Sequence, residues 1–157
     1  MRPEERIMRI YRIEDKYGCG YFWSGMAAEV SLRVLQDLIA EGWDVDGATD
    51  ERYRVSPGRH PAPKNDRGLS EQWKQLEQSG ITNKFHFGFT SLASLLHWFD
   101  SERHRRAMHS LGCVVAVYET DHWYEGHYQA IFQKCKATRI DTLPVPLVAE
   151  VVSCRKP

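Results

Sequence analysis

The chain has 157 residues, 42% hydrophobic and 27% charged, with Lys plus Arg equal to Asp plus Glu at 21 each. That length suits one domain with a core large enough to stand without disulfides. No segment approaches the roughly eighteen apolar residues of a membrane span. Zero formal charge removes any whole-molecule attraction to nucleic acid or anionic lipid.

The N-terminus has no apolar core of a secretory signal, so a cytoplasmic location is expected. Residues 7–13, Ile-Met-Arg-Ile-Tyr-Arg-Ile, alternate as a strand with Ile7, Arg9, Tyr11 and Ile13 on one face and Met8, Ile10 and Arg12 on the other. One arginine is therefore expected to point inward. Gly18-Cys-Gly20 breaks the chain, and Tyr21, Phe22 and Trp23 set three aromatic rings beside the break, to line a pocket or close the core. From Met26 to Glu41, Ala27, Val30, Val34, Leu35, Leu38 and Ile39 fall at helical spacing, with Gly42 as the stop.

Residues 44–83 are polar, carry Ser56-Pro-Gly-Arg-His60-Pro-Ala-Pro63 at their centre, and read as a long loop or lid with a short helix near Ser70 to Gln78. His60 and Asp66 are its most reactive members. Phe85 to Phe99 then changes from a short apolar run to a helical period at Thr90-Ser91. Ser91 is placed to cap the helix whose apolar set is Leu92, Leu95, Leu96 and Phe99. A second helix runs from about Ser101 to Leu111 and stops at Gly112. Its Arg103-His104-Arg105-Arg106 run reads as a solvated face.

Val114 to Tyr118 is β-branched and nearly all apolar, as in a central strand buried on both faces. Tyr128 to Phe132 is a shorter strand, joined to it by a wide hairpin over 119–127, and Leu147 to Ser153 forms the last strand. The element order predicts a single α+β domain over 1–157, with a curved, largely antiparallel sheet and two to four helices.

Seven histidines make no zinc spacing, and His122 and His127 lack a third ligand, so no metal site is expected. The cysteines, Cys19, Cys113, Cys135 and Cys154, are widely spaced and read as reduced thiols. Phosphate loops of the GxGxxG or GxxxxGKS kind are absent.

The series Ile10-Tyr-Arg12, Phe87-Gly-Phe-Thr-Ser91 before a helix, Val114 to Tyr118, and His127-Tyr-Gln-Ala-Ile-Phe132 resembles the ADP-ribosyltransferase fold, over about half the chain in separate pieces. The resemblance implies a split antiparallel sheet that grips NAD in a cleft, with transfer to a host macromolecule. It implies that Arg12, Tyr21, Thr90 and Ser91 hold the dinucleotide, Arg9 being the lesser choice for the first-strand position. The family's catalytic glutamate has no direct match. Gln129 stands near its place, Glu125 is among the nearest acids, and these two are the catalytic candidates.

Tyr11-Arg-Ile-Glu-Asp15, His60-Pro-Ala-Pro63 followed by Asp66, Phe87-Gly-Phe-Thr-Ser91, Trp98-Phe99 and Val117-Tyr-Glu119 also resemble small uncharacterised phage and prophage proteins. That implies a bacterial host cytoplasm and a rival role. The rival is a non-catalytic, anti-CRISPR-like inhibitor that binds a host defence protein through the 44–83 loop and aromatics such as Trp43, Tyr53, Trp73, Trp98, Trp123 and Tyr124. Oligomeric state is open in both readings.

Overall fold

The computed structural model describes residues 6–14, 18, 63–100, 102–110 and 112–147, without the side chains of 103, 104 and 107. Tyr21, the helix expected over 26–41, His60 and the strand expected over 147–153, apart from Leu147, lie outside the described residues.

Among the described residues, six strands form two antiparallel sheets. The first has the order β1 (Met8–Glu14), β3 (Val114–Thr120), β6 (Thr138–Pro144). The second has the order β2 (Phe85–Gly88), β5 (Ala130–Gln133), β4 (Trp123–Glu125). Three described helices accompany them: α1 (Ser70–Gln78), α2 (Leu92–Trp98) and α3 (Glu102–Ser110).

The alternation expected for β1 holds. Ile10, Arg12 and Glu14 are buried together on one face, and Ile7 is left exposed. β3 lies between β1 and β6, with Val115, Ala116, Val117 and Tyr118 all buried, as its apolar run requires. Its partners differ from expectation. β3 does not form a hairpin with β5, because Trp123–Glu125 is itself a strand that pairs with β5. The chain leaves the first sheet at Thr120, whose hydroxyl accepts from the His122 N–H at 3.0 Å, and so turns into the second. Trp123 is drawn into the core with its indole N–H donating to the Arg6 carbonyl at 3.0 Å, and is not a surface anchor.

β6 was not expected. Its TRIDTLP sequence is exposed along nearly its whole length, so it shows no apolar alternation. A bulge opposite Val117 and Tyr118 further disturbs its period.

The sheets meet where β2 runs on toward β1. Tyr11 and Phe89 exchange backbone hydrogen bonds of 2.7 and 2.8 Å. Gly88 permits this approach, since a Cβ there would lie 2.3 Å from Ile10 Cγ2. Ile10, Ala116 and Tyr118 of the first sheet then share one cluster with Trp123, Ala130 and Phe132 of the second.

Helices cover the other faces. Leu95 and Phe99 from the α2 segment and Met108 from α3 pack on Ile13, Phe89, Val115 and Val145. α1 and the turn before it place Leu76 and Leu69 on Phe85 and Ile131. The 63–83 part of the polar segment is therefore folded onto the second sheet, held by those two leucines.

The basic run in α3 divides. Arg106 is exposed and pairs with Glu102. Arg105 is buried, donating to the Phe99 carbonyl at 2.6 Å and the Pro146 carbonyl at 2.8 Å, so the run is not wholly a solvated face. Gly112, at φ +83°, ends this helix in the left-handed conformation that its position in the sequence predicts.

Candidate functional site

The strand-to-helix junction has the expected local structure. Ser91 sits in extended backbone, and its hydroxyl accepts from the Ser94 N–H at 3.1 Å and donates to Ser94 Oγ at 3.0 Å. Its function within the fold is thus helix capping. Thr90, one residue earlier, reaches another element, its Oγ1 donating to Glu125 Oε1 at 2.7 Å. The register explains the meeting. Gly88 pairs with Ala130, and Ala130 pairs with Glu125, so the β2 end and the β4 end lie in one row across the second sheet. The Glu125 side chain remains exposed there.

Glu125 leads into a turn that Asp66 holds from beneath. The Asp66 carboxylate is fully buried, and its two oxygens accept from the backbone N–H groups of His127 at 2.5 Å and Tyr128 at 3.1 Å. The turn closes with the Gly126 N–H donating to the Gln129 carbonyl at 2.7 Å. Gly126 is required because a Cβ there would lie 2.5 Å from the Asp66 carboxyl carbon. Gln129 is buried at the end of this turn, whereas Glu125 is open at its start. The two catalytic candidates therefore stand in different surroundings.

Arg12 is buried, with 5% exposure, and its guanidinium donates to the Phe87 carbonyl at 2.7 Å and approaches Glu14 Oε1 at 3.3 Å. It ties β1 to β2 three residues before Thr90. Arg9, the lesser candidate, is exposed and paired with Glu119 at 3.5 Å.

Arg12 belongs to a polar network centred on Glu14. The Glu14 carboxylate accepts from the Tyr118 hydroxyl at 2.7 Å and meets Lys134 Nζ at 3.1 Å and Arg139 Nη1 at 3.5 Å. Burial, and then the hydrogen bond to Glu14, push the Tyr118 hydroxyl well above the usual phenol range, so it stays a donor. His86, paired with Phe132 across β2 and β5, is lowered to about 4, first by burial and then by Arg12 and Lys134. It is neutral at pH 7.

Sequence reasoning reached Thr90, Ser91 and Arg12 but missed Glu14, His86, Tyr118, Lys134 and Arg139 as a group. The one available signal was Glu14, a charged residue in phase with Ile10 and Arg12 on the buried face of β1. Among the described residues, no three His, Cys, Asp or Glu side chains are grouped to hold a metal ion. Cys113 is buried and Cys135 exposed, both as free thiols.

These features define an α+β single-domain fold of two small antiparallel sheets and three described helices. The chain belongs to the phage family described as Bacteriophage T4 Y00F protein, whose model matches residues 8–146. No curated protein and no solved structure matches the chain significantly. No described helix is long and apolar enough to cross a membrane.

Proposed function

We propose that this phage-family protein is an NAD-dependent ADP-ribosyltransferase that modifies a host macromolecule, with Glu125 as its catalytic acid residue in the carboxylate form. The observation that carries this reading is the 2.7 Å hydrogen bond from Thr90 to an exposed Glu125, 35 residues away in sequence. Breaking the bond between ribose and nicotinamide sends its electron pair to the leaving ring and leaves positive charge on the sugar. A fixed carboxylate stabilises that charge more than it stabilises the ground state. Thr90 restrains one oxygen of Glu125, and Asp66 anchors the turn that follows it.

The exposed carboxylate with an adjacent hydroxyl fits the ribose end of NAD. Arg12 fits a positioning role, since its bond to the Phe87 carbonyl secures the strand that presents Thr90 and Ser91.

The test is calorimetric titration with NAD followed by an assay of nicotinamide release. Glu125→Gln and Thr90→Val are expected to reduce release by about 100-fold or more for the acid and less for the hydroxyl, with unchanged circular dichroism. Release that is unaltered in both variants rejects the reading.

One observation favours a second reading, a non-catalytic inhibitor that binds a host defence protein. Among the described residues, β6 is an edge strand with no neighbour on its outer side, and its Ile140 is 41% exposed. Such an edge accepts an extended segment of a partner. This reading expects a stoichiometric complex formed without NAD and weakened by Ile140→Arg; dependence of inhibition on NAD counts against it.

A further inference from the structure

Glu14 is an unusual centre, because one carboxylate faces three basic side chains. It is 1% exposed and receives the Tyr118 hydroxyl at 2.7 Å, Lys134 at 3.1 Å, Arg12 at 3.3 Å and Arg139 at 3.5 Å. Two of the cations reach the surface, the Lys134 side chain being 31% exposed and that of Arg139 42%. Lys134 directs two of its three donors to Glu14 and to the Gly18 carbonyl at 3.0 Å, and stands 5.8 Å from the centre of the Tyr118 ring. Arg139 directs one guanidinium nitrogen to Glu14 and another to Thr142 Oγ1 at 2.9 Å. A guanidinium has five donors in a planar fork, so this one retains capacity toward solvent.

We propose that Lys134 and Arg139, each paired with one oxygen of the Glu14 carboxylate, form a binding site for a phosphate-class oxyanion, either free or as the phosphate of a larger molecule.

Three lines of reasoning lead there. A single negative charge divided among three cations leaves the rim ones incompletely neutralised, and a partly buried position screens them less than open water does. The attraction is also local, since the chain as a whole carries no net charge. An arginine and a lysine that share Glu14 provide a planar fork and a point charge, a combination that suits phosphate oxygens. The cations come from different segments, Lys134 from the turn just after β5 and Arg139 from β6, and their common link to Glu14 holds them in place before a ligand arrives. The site uses neither Thr90 nor Glu125 and does not depend on the transferase reading.

The experiment is titration of the full chain with sodium pyrophosphate at low ionic strength by calorimetry, with NAD as a parallel arm. Pyrophosphate is expected to bind, and Lys134→Gln and Arg139→Gln are each expected to weaken it about tenfold, as loss of one charge-assisted contact implies. Lys134→Arg, which keeps the charge, is expected to retain binding within about threefold. Absence of binding at about 5 mM pyrophosphate, or equal binding by wild type and both glutamine variants, overturns the proposal. Should Lys134→Gln fail to fold, Arg139→Gln alone decides, because its side chain is the more exposed.

The NAD arm separates sources and hypotheses. Competition between pyrophosphate and NAD identifies the anion as part of a dinucleotide, and pyrophosphate binding without NAD binding identifies a free oxyanion. Nicotinamide release by a protein that does not bind pyrophosphate removes the anion site and leaves the transferase reading; pyrophosphate binding without release does the reverse.

Discussion

Gly88 and His86 face the same inter-sheet region from β2, and each makes a separate demand on it. At Gly88 the demand is steric. A methyl group there would sit 2.3 Å from Ile10 Cγ2 and 3.2 Å from the Tyr11 carbonyl oxygen, at the point where the sheets are bonded to each other. Gly88→Ala is expected to destabilise the protein by about 1–3 kcal/mol, the usual range for overpacking, read from the midpoint of urea unfolding. At His86 the demand is electrostatic. Its folded value of about 4 lies below the ordinary 6.5, so between these limits the unfolded chain binds more protons than the folded one. Its contribution to stability is therefore complete above pH 6.5 and declines as pH falls toward 4. In wild type the pH slope of unfolding free energy through this window should include nearly one proton from this residue. His86→Gln is expected to remove that part, which paired urea titrations at pH 4.5 and 7 would detect.

Elements differ in how openly they declare themselves. α2 has a capping serine and apolar residues at helical spacing, so both its start and its buried side were legible; Leu95 is fully buried. Ser91→Ala should cost about 1 kcal/mol through loss of the Ser94 N–H partner. Leu95→Ala should cost about 2–5 kcal/mol through a cavity beneath Phe89 and Val115. Thermal unfolding of the two variants checks the order. α1 was also legible as a short helix at Ser70–Gln78, though its role in covering the second sheet was not. β6 was not legible, because an exposed edge strand needs no apolar alternation and a bulge shifts its period. β4 was concealed by its length of three residues and by the polar residues flanking it.

Across the whole molecule, the polar network of Glu14 connects the two sheets beyond their apolar cluster. Arg12 on β1 reaches the Phe87 carbonyl of β2, and Lys134 after β5 reaches Glu14 of β1. Removing one partner from a buried ionic group leaves the others without compensation and typically costs about 3–5 kcal/mol. Glu14→Gln is expected to destabilise the fold by an amount toward the lower end of that range, because the amide still accepts from Tyr118. Arg12→Met alone should destabilise in the same direction, and the double variant should lose less than the sum of the two single changes. Chemical unfolding of the four proteins gives that coupling directly; strict additivity would show that the pair contributes nothing jointly.

The candidate site shows the same division between what is local and what is not. Composition, periodicity and caps were sufficient for an α+β fold, for β1 with an inward arginine, for a central β3, for the Ser91 cap and for the Gly112 stop, since each depends on residues adjacent in the chain or a few positions apart. The meeting of Thr90 with Glu125, the support of the 126–129 turn by Asp66, and the gathering of Arg12, Tyr118, Lys134 and Arg139 around Glu14 were decided only in three dimensions. Apart from Arg12, which neighbours Glu14 along β1, the partners in these contacts lie from 35 to 125 residues apart in the chain. They arise from strand register and sheet partnership, and neither leaves a periodic trace in the sequence.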